Sequence, residues 1–374
     1  MHLPKYTARV SIVLASLALI SNVAYQQFFK RDVQDIDEGN SRAISGVLID
    51  PEKDKKNYEP VASLLCEHFY QTACTPKEII HDPTGSVQPD IKGEVEALRL
   101  YETILHEHPD WSNDQIDEEL VHRIYTPKRK LMLLETYGWI KKRMVHLIET
   151  QPKQVFSKDT KKVLIARINN IVLELPPPVS LYANEPDLFT KNDVYYEGFP
   201  DGKRVIRVGG AYLLSAKSWF NRVFTIAHEM SHAIDPCEIS GEKILVSGYE
   251  KLINCFYEEN ILSLTQIKEG CNKSNFIGEL FSDWMATQIT VQALQMYLPK
   301  FKNQQELTNS VVNSVKDLCY QDESQLSHSG SHPEPRTRIE KIFSKNIEVQ
   351  KILGCKKKIE KIDYCTFEGK TNER

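Results

Sequence analysis

Residues 274–294 read SNFIGELFSDWMATQITVQAL, and no other stretch constrains the fold of this chain as strongly. Phe276, Ile277, Leu280, Phe281, Trp284, Met285 and Val291 place apolar side chains nearly all the way round a helix. Such a helix has no face suited to water and must run through the middle of a core. Two acids ride on it at i and i+4, Glu279 and Asp283, one turn apart on the same face. A carboxylate carried into a core is costly unless it is paired or bound to a metal ion. The fold must therefore bring positive charge to this helix, either as cap or salt-bridge partners or as a metal with ligands from elsewhere.

The run NRVFTIAHEMSHAIDPC at 221–237 supplies candidates for the metal. Phe220, Val223, Ala227, Met230 and Ile234 recur at three- and four-residue steps and predict a helix over roughly 216–235. Pro236 ends it, because the residue before a proline is pushed out of the α region. His228, His232 and Asp235 fall at i, i+4 and i+7 on a neighbouring face. Imidazoles one turn apart can both reach one ion at about 2.0–2.1 Å. Glu229, about 100° round the axis, is placed to take a proton from water held there. Alone, the five letters HEMSH are only suggestive, since a lone histidine on such a helix is more often a satisfied core residue. A catalytic zinc keeps three protein ligands and leaves its fourth place to water, and Glu279 is the candidate third.

HExxH followed by ExxxD on a second helix resembles the gluzincin metallopeptidases. HEMSHAID and GELFSD are most similar to the neprilysin family, whose longer HExxHxxD pattern is matched by Asp235. The resemblance implies one zinc per chain on His228, His232 and Glu279, with Glu229 as general base and proton shuttle. It further implies that Asp283 orients His228 and that Asp235 orients His232, second carboxylates that fix the tautomer and raise ligand basicity. A downstream stretch, SHSGSHPEPRTRIEKIF at 327–343, offers His332 and, six residues on, Arg338. These match the family's histidine and arginine that stabilise the transition state and bind substrate. Gly330 stands where that family has an aspartate, and His328 competes with His332. HPEPRTRI also resembles the HP…RI element of HtpX-type membrane-associated gluzincins. The resemblance covers about 200–355, and the N-terminal half matches no named family.

The fold class implied is α+β: a zincin-like metallopeptidase domain with a small sheet, an edge strand, the HExxH helix and the ExxxD helix, preceded by a helical N-terminal region. Helical patterning fills 92–150, and 159–175 reads as a further helix stopped by Pro176, Pro177 and Pro178. VSLYA, DVYYEG and KRVIRVGGAYLLS are β-branched or aromatic runs that predict short strands. The last, at 203–214, is expected to be the edge to which a substrate peptide adds, with Gly209, Gly210 and Ala211 allowing close approach. The domain organisation expected is a signal peptide or anchor at 1–24, a polar arm at 25–90, a helical region at 91–155 and a catalytic domain at 156–374.

Lys5 and Arg9 precede an uncharged stretch from Val10 to Phe29, the pattern of an export signal with cleavage near Ala24, or of a single anchor left uncleaved. Eight cysteines after such a segment suggest disulfides in an oxidising compartment: secreted, periplasmic or otherwise extracytoplasmic. None forms a CxxC, which removes the main support for cysteine-bound zinc. Proximity along the chain favours Cys66–Cys74 and Cys355–Cys365. A net charge of −4 gives no reason to expect nucleic acid as a partner, and membrane contact is expected only through an uncleaved N-terminal segment. The function expected is an exported zinc metalloendopeptidase acting on peptide or protein substrates. Its rivals are a catalytically silent module with a structural zinc, and a zinc hydrolase of a non-peptide amide such as a cell-wall bond.

Overall fold

The computed structural model describes residues 63–74, 92–178, 181, 186–215, 217–239, 247–257, 262–273, 276–320, 332–355 and 364–371, all within one unit spanning 56–374. The expected signal or anchor at 1–24 lies outside these residues, as do most of the 25–90 arm, nearly all of VSLYA, and His328. Among the described residues no helix is long and apolar enough to cross a membrane.

Helices dominate, with one three-stranded sheet and a short hairpin, an α+β arrangement. The first are α1 (Phe69–Ala73), α2 (Lys92–Glu107), α3 (Asn113–Ile124), α4 (Pro127–Glu149) and α5 (Lys158–Asn169). Their starts are written locally. Ser112 and Gln115 form a capping box before α3, while Thr126 caps α4 with Pro127 in its first turn, where the missing N–H costs nothing. The helix expected over 159–175 ends early. Asn170 closes α5, and Ile171–Leu173 become a strand, β1. Its β-branched residues pair parallel with β3 in the register Ile171 to Arg204, a partner that local periodicity does not reveal.

The sheet order is β1, β3, β2, with β2 (Val194–Gly198) and β3 (Arg204–Val208) antiparallel. They turn back through Gly202, whose φ of +86° suits glycine. This corrects the expected edge. Residues 203–214 supply the middle strand only as far as Val208, and Gly210–Leu214 coil into a short buried helix, α6. The glycines serve packing: a Cβ on Gly209 would stand 2.1 Å from the Lys191 carbonyl oxygen, and one on Gly210 would stand 2.5 Å from that of Phe189. The true edges are β1 and β2. The β1 edge is covered by α4, whose Tyr137 hydroxyl and Lys141 Nζ both donate to the Ile171 carbonyl.

The centre of the core is α7 (Trp219–Ser231) packed along α10 (Phe276–Tyr297). As the pattern of 274–294 requires, α10 is buried on nearly every side. Around them lie α8 (Glu250–Tyr257), α9 (Leu264–Lys273), α11 (Gln304–Ser314), α12 (Pro335–Thr337) running into a π-helical turn at Arg338–Phe343, and α13 (Ile347–Leu353). The chain closes with a hairpin, β4 (Tyr364–Thr366) and β5 (Gly369–Thr371), whose Phe367 packs edge-on against Trp284 and Phe156.

Four disulfides are formed: Cys66–Cys355, Cys74–Cys319, Cys237–Cys271 and Cys255–Cys365. Neither pair favoured by sequence proximity, Cys66–Cys74 or Cys355–Cys365, occurs. α1 is instead tied to two distant parts of the C-terminal half, so chain separation is no guide to spatial separation here.

Candidate metal centre

Ser218 accepts the Asn221 N–H at 3.1 Å and sets the start of α7. From that start Phe220, Val223, Phe224, Ala227 and Met230 enter the core. His228, in the last turn, and His232, at the start of a 3-10 turn (His232–Ile234), are 5% and 8% exposed. α10 meets them with Glu279 and Asp283, which are as deeply buried. His228 Nε2 lies 3.2 Å from Glu279 Oε2, and His232 Nε2 lies 3.6 Å from Glu279 Oε1.

Behind each imidazole stands a carboxylate. Asp235, expected on the helix, lies past the 3-10 turn in extended backbone and reaches back, its Oδ2 2.9 Å from His232 Nδ1. Its Oδ1 accepts the N–H groups of Cys237 at 2.6 Å and Glu238 at 2.8 Å, so the turn itself fixes this carboxylate. Asp283 Oδ1 is 2.9 Å from His228 Nδ1, although the N–H is not aimed squarely at it. Arg338 grips Asp283 with both prongs, Nε to Oδ2 at 2.6 Å and Nη2 to Oδ1 at 2.7 Å. Arg338 is 2% exposed, and its Nη2 also lies 3.8 Å from Glu279 Oε2. His332 is on the open side: its Nε2 is 3.3 Å from Glu279 Oε2, and its side chain is 43% exposed. Gly209, Gly210 and Ala211 stand outside this cluster.

Glu229 faces two ways. Its Oε1 is 3.9 Å from His228 Nε2, and its Oε2 accepts the backbone N–H of Tyr196 at 2.9 Å. That N–H belongs to the outward side of β2, where the Val194 N–H is likewise taken by a side chain, Asp193 Oδ1 at 2.8 Å. Asp193 and Phe199 bond inward, through Gly209 N to Asp193 O and Phe199 N to Lys203 O. In an antiparallel pair the alternate residues Val194, Tyr196 and Gly198 then turn their peptide groups outward. The residue pattern gave no sign of Tyr196 in this role, because a backbone donor has no letter. It likewise passed over Asp193, a loop acid just before β2, whose pKa is raised chiefly by burial and whose charge acts on Glu229.

The charges explain one another. Burial pulls the His228 pKa down, but the close Asp283 and Glu279 carboxylates outweigh that and raise it to about 10. His232 is raised in the same way, against burial, by Asp235 and Glu279. Burial pushes the Glu279 and Asp283 carboxyls up, yet the histidines for Glu279, and Arg338 with His228 for Asp283, hold both below their ordinary values. Glu229 is the exception, raised to about 7, chiefly by burial, against the lowering effect of the two histidines.

His228, Glu229 and His232 bring ligand atoms within 4.8 Å of one another, close enough to hold one metal ion. No protein-family model, curated protein or solved structure matches the chain.

Proposed function

We propose that this chain is an exported zinc-dependent endopeptidase, with a zincin-like architecture, in which Glu229 is the general base. The observation that carries the reading is the convergence of His228 Nε2, His232 Nε2 and the Glu279 carboxylate at 3.2 and 3.6 Å, with Glu229 alongside. Donors bound tetrahedrally at about 2.0–2.1 Å stand roughly 3.3 Å apart, so these three fit a zinc ion. Glu279 is a better third ligand than Glu229: it is closer to both imidazoles and is held ionised. When bound, zinc supplies a water acidic near pH 7 and polarises a carbonyl.

The protein's own groups do the rest. Asp283 and Asp235 hold Nδ1 of the two histidines, which leaves both Nε2 atoms free to bind the ion. Glu229, with a pKa near 7, is matched to accepting a proton from water and returning it to the leaving amine. The Tyr196 N–H fixes one oxygen of that carboxylate and leaves the other facing the ligands. His332, on the open side, is positioned to meet the developing oxyanion, while Arg338 acts through Asp283. With the outward N–H groups of Val194 and Tyr196 given to Asp193 and Glu229, it is the outward carbonyls of β2 that offer an extended substrate a strand to pair with, in place of the Gly209–Ala211 segment.

Metal analysis and peptide-library cleavage on wild type and Glu229→Gln test the reading. Wild type should hold about one zinc and cleave peptides. The variant should keep zinc and lose at least roughly 10²–10⁴ in rate. A metal-free, chelator-insensitive protein, or an active Glu229→Gln, would overturn it. Zinc without turnover, together with unfolding on chelation, would point to a structural module. Cleavage of glycan-linked amides alone would point to the non-peptide hydrolase.

A further inference from the structure

Arg222 carries a charge that the fold leaves unanswered. It lies on α7, six residues before His228, and is 7% exposed. Its Nη1 donates to the thioether of Met132 at 3.1 Å, a weak acceptor, and its Nε is buried without any. No carboxylate among the described residues pairs with it. Arginines buried as deeply elsewhere are held by acids: Arg338 by Asp283, and Arg207 by Glu174 and Glu197.

The charge that acts on Arg222 from its surroundings is that of another cation, Arg129, while two acids, Asp317 and Asp193, act on the neighbouring Tyr212. Met132 stands on α4 one turn after Arg129, on the same face; the half-buried Arg129 gives its Nη1 to the Arg123 and Ile124 carbonyls, and its charge reaches Arg222. Burial works against the charged form of Arg222, the phenol of Tyr212 favours it, and the charge of Arg129 works against it again. The Tyr212 hydroxyl on α6 is fully buried and has no hydrogen-bond partner. The Thr225 hydroxyl beside it is already given to the Asn221 carbonyl. Arginine does not shed its proton in proteins, so the positive charge stays. A buried cation without a counter-charge is strongly unfavourable.

We propose that Arg222, with Arg129 and the Tyr212 hydroxyl, forms a binding site for a small monovalent inorganic anion of the chloride class. One unanswered charge calls for one negative charge, and the burial of Arg222 limits its size. Because Arg222 and His228 share α7, the anion would brace the helix that carries both histidines.

Thermal unfolding of the full chain in sodium chloride and in sodium gluconate, at matched ionic strength, tests this independently of catalysis. Wild type should gain a saturable rise in Tm of about 5 °C with chloride and none with the bulky gluconate. Arg222→Met should lose the chloride response and, in gluconate, melt no lower than wild type. Tyr212→Phe, which removes one oxygen, should shift the half-maximal chloride concentration upward by about tenfold. The proposal fails if wild type ignores chloride, if Arg222→Met responds as wild type does, or if Tyr212→Phe leaves the half-maximal concentration unchanged.

Discussion

Glu229 shows how much of this site depends on single atoms. One of its oxygens looks toward His228, and the other is pinned by a backbone N–H that the sheet does not use. A proline at an outward-facing edge position removes that N–H without breaking the ladder. Tyr196→Pro is therefore expected to lower kcat by about tenfold relative to Tyr196→Ala, at equal zinc content. Equal kcat values in steady-state assays of the two would dismiss the pin. His228 makes a second prediction. Its pKa near 10 means that the metal-free protein holds a proton there at neutral pH, and a metal must displace it. Zinc uptake at pH 7 should release about one proton from His228, and the apparent affinity should fall about tenfold per unit as pH drops below 10. Calorimetry in buffers of different ionisation enthalpy measures both. The same raised pKa stabilises the metal-free fold fully below the unfolded value of about 6.5 and is lost as pH climbs through 10. Chelated protein should therefore lose stability across that window.

At the level of elements, three segments form one relay: the π-helical turn brings Arg338, α10 brings Asp283, and α7 brings His228. Asp283→Asn should weaken zinc binding by about 10–100-fold, read by competition with a chelating dye. Arg338→Ala should cost about 3–5 kcal/mol in denaturant unfolding, because it strands the Asp283 carboxylate in the core. Adding Asp283→Asn to Arg338→Ala should recover part of that loss, and a double variant no more stable than Arg338→Ala would count against the relay. The two helices were legible in the sequence because each is long and its apolar residues fit a helix: along one stripe in α7, and nearly all the way round in α10. Short elements were not. Ile171–Leu173 continues the apolar pattern of α5 and becomes a strand only because Arg204–Val208 lies alongside. Gly209 and Gly210 read as room for a substrate strand to approach, although the space they leave is taken by the Lys191 and Phe189 backbone. Arg338 was found by its spacing from His332, but its grip on Asp283 depends on a fold that no spacing reports.

Across the whole molecule, the four disulfides fit an extracytoplasmic protein. Removing Cys66–Cys355 as a pair of serines should cost about 2–5 kcal/mol, measured as a lower denaturation midpoint. Its pairing was invisible in the sequence, because a separation of 289 along the chain is closed by packing and not by proximity in sequence. That separation bears on how the protein is made. Synthesis delivers Cys66 and Cys74 early, but their partners Cys355 and Cys319 arrive only after the histidine helix and its acidic neighbour have been completed. Meanwhile the two early thiols are each other's nearest neighbours, and closing so short a loop costs little entropy. Oxidation during emergence thus favours a wrong bond, so a productive route needs either delayed oxidation or a disulfide isomerase to hand each thiol on to its late partner.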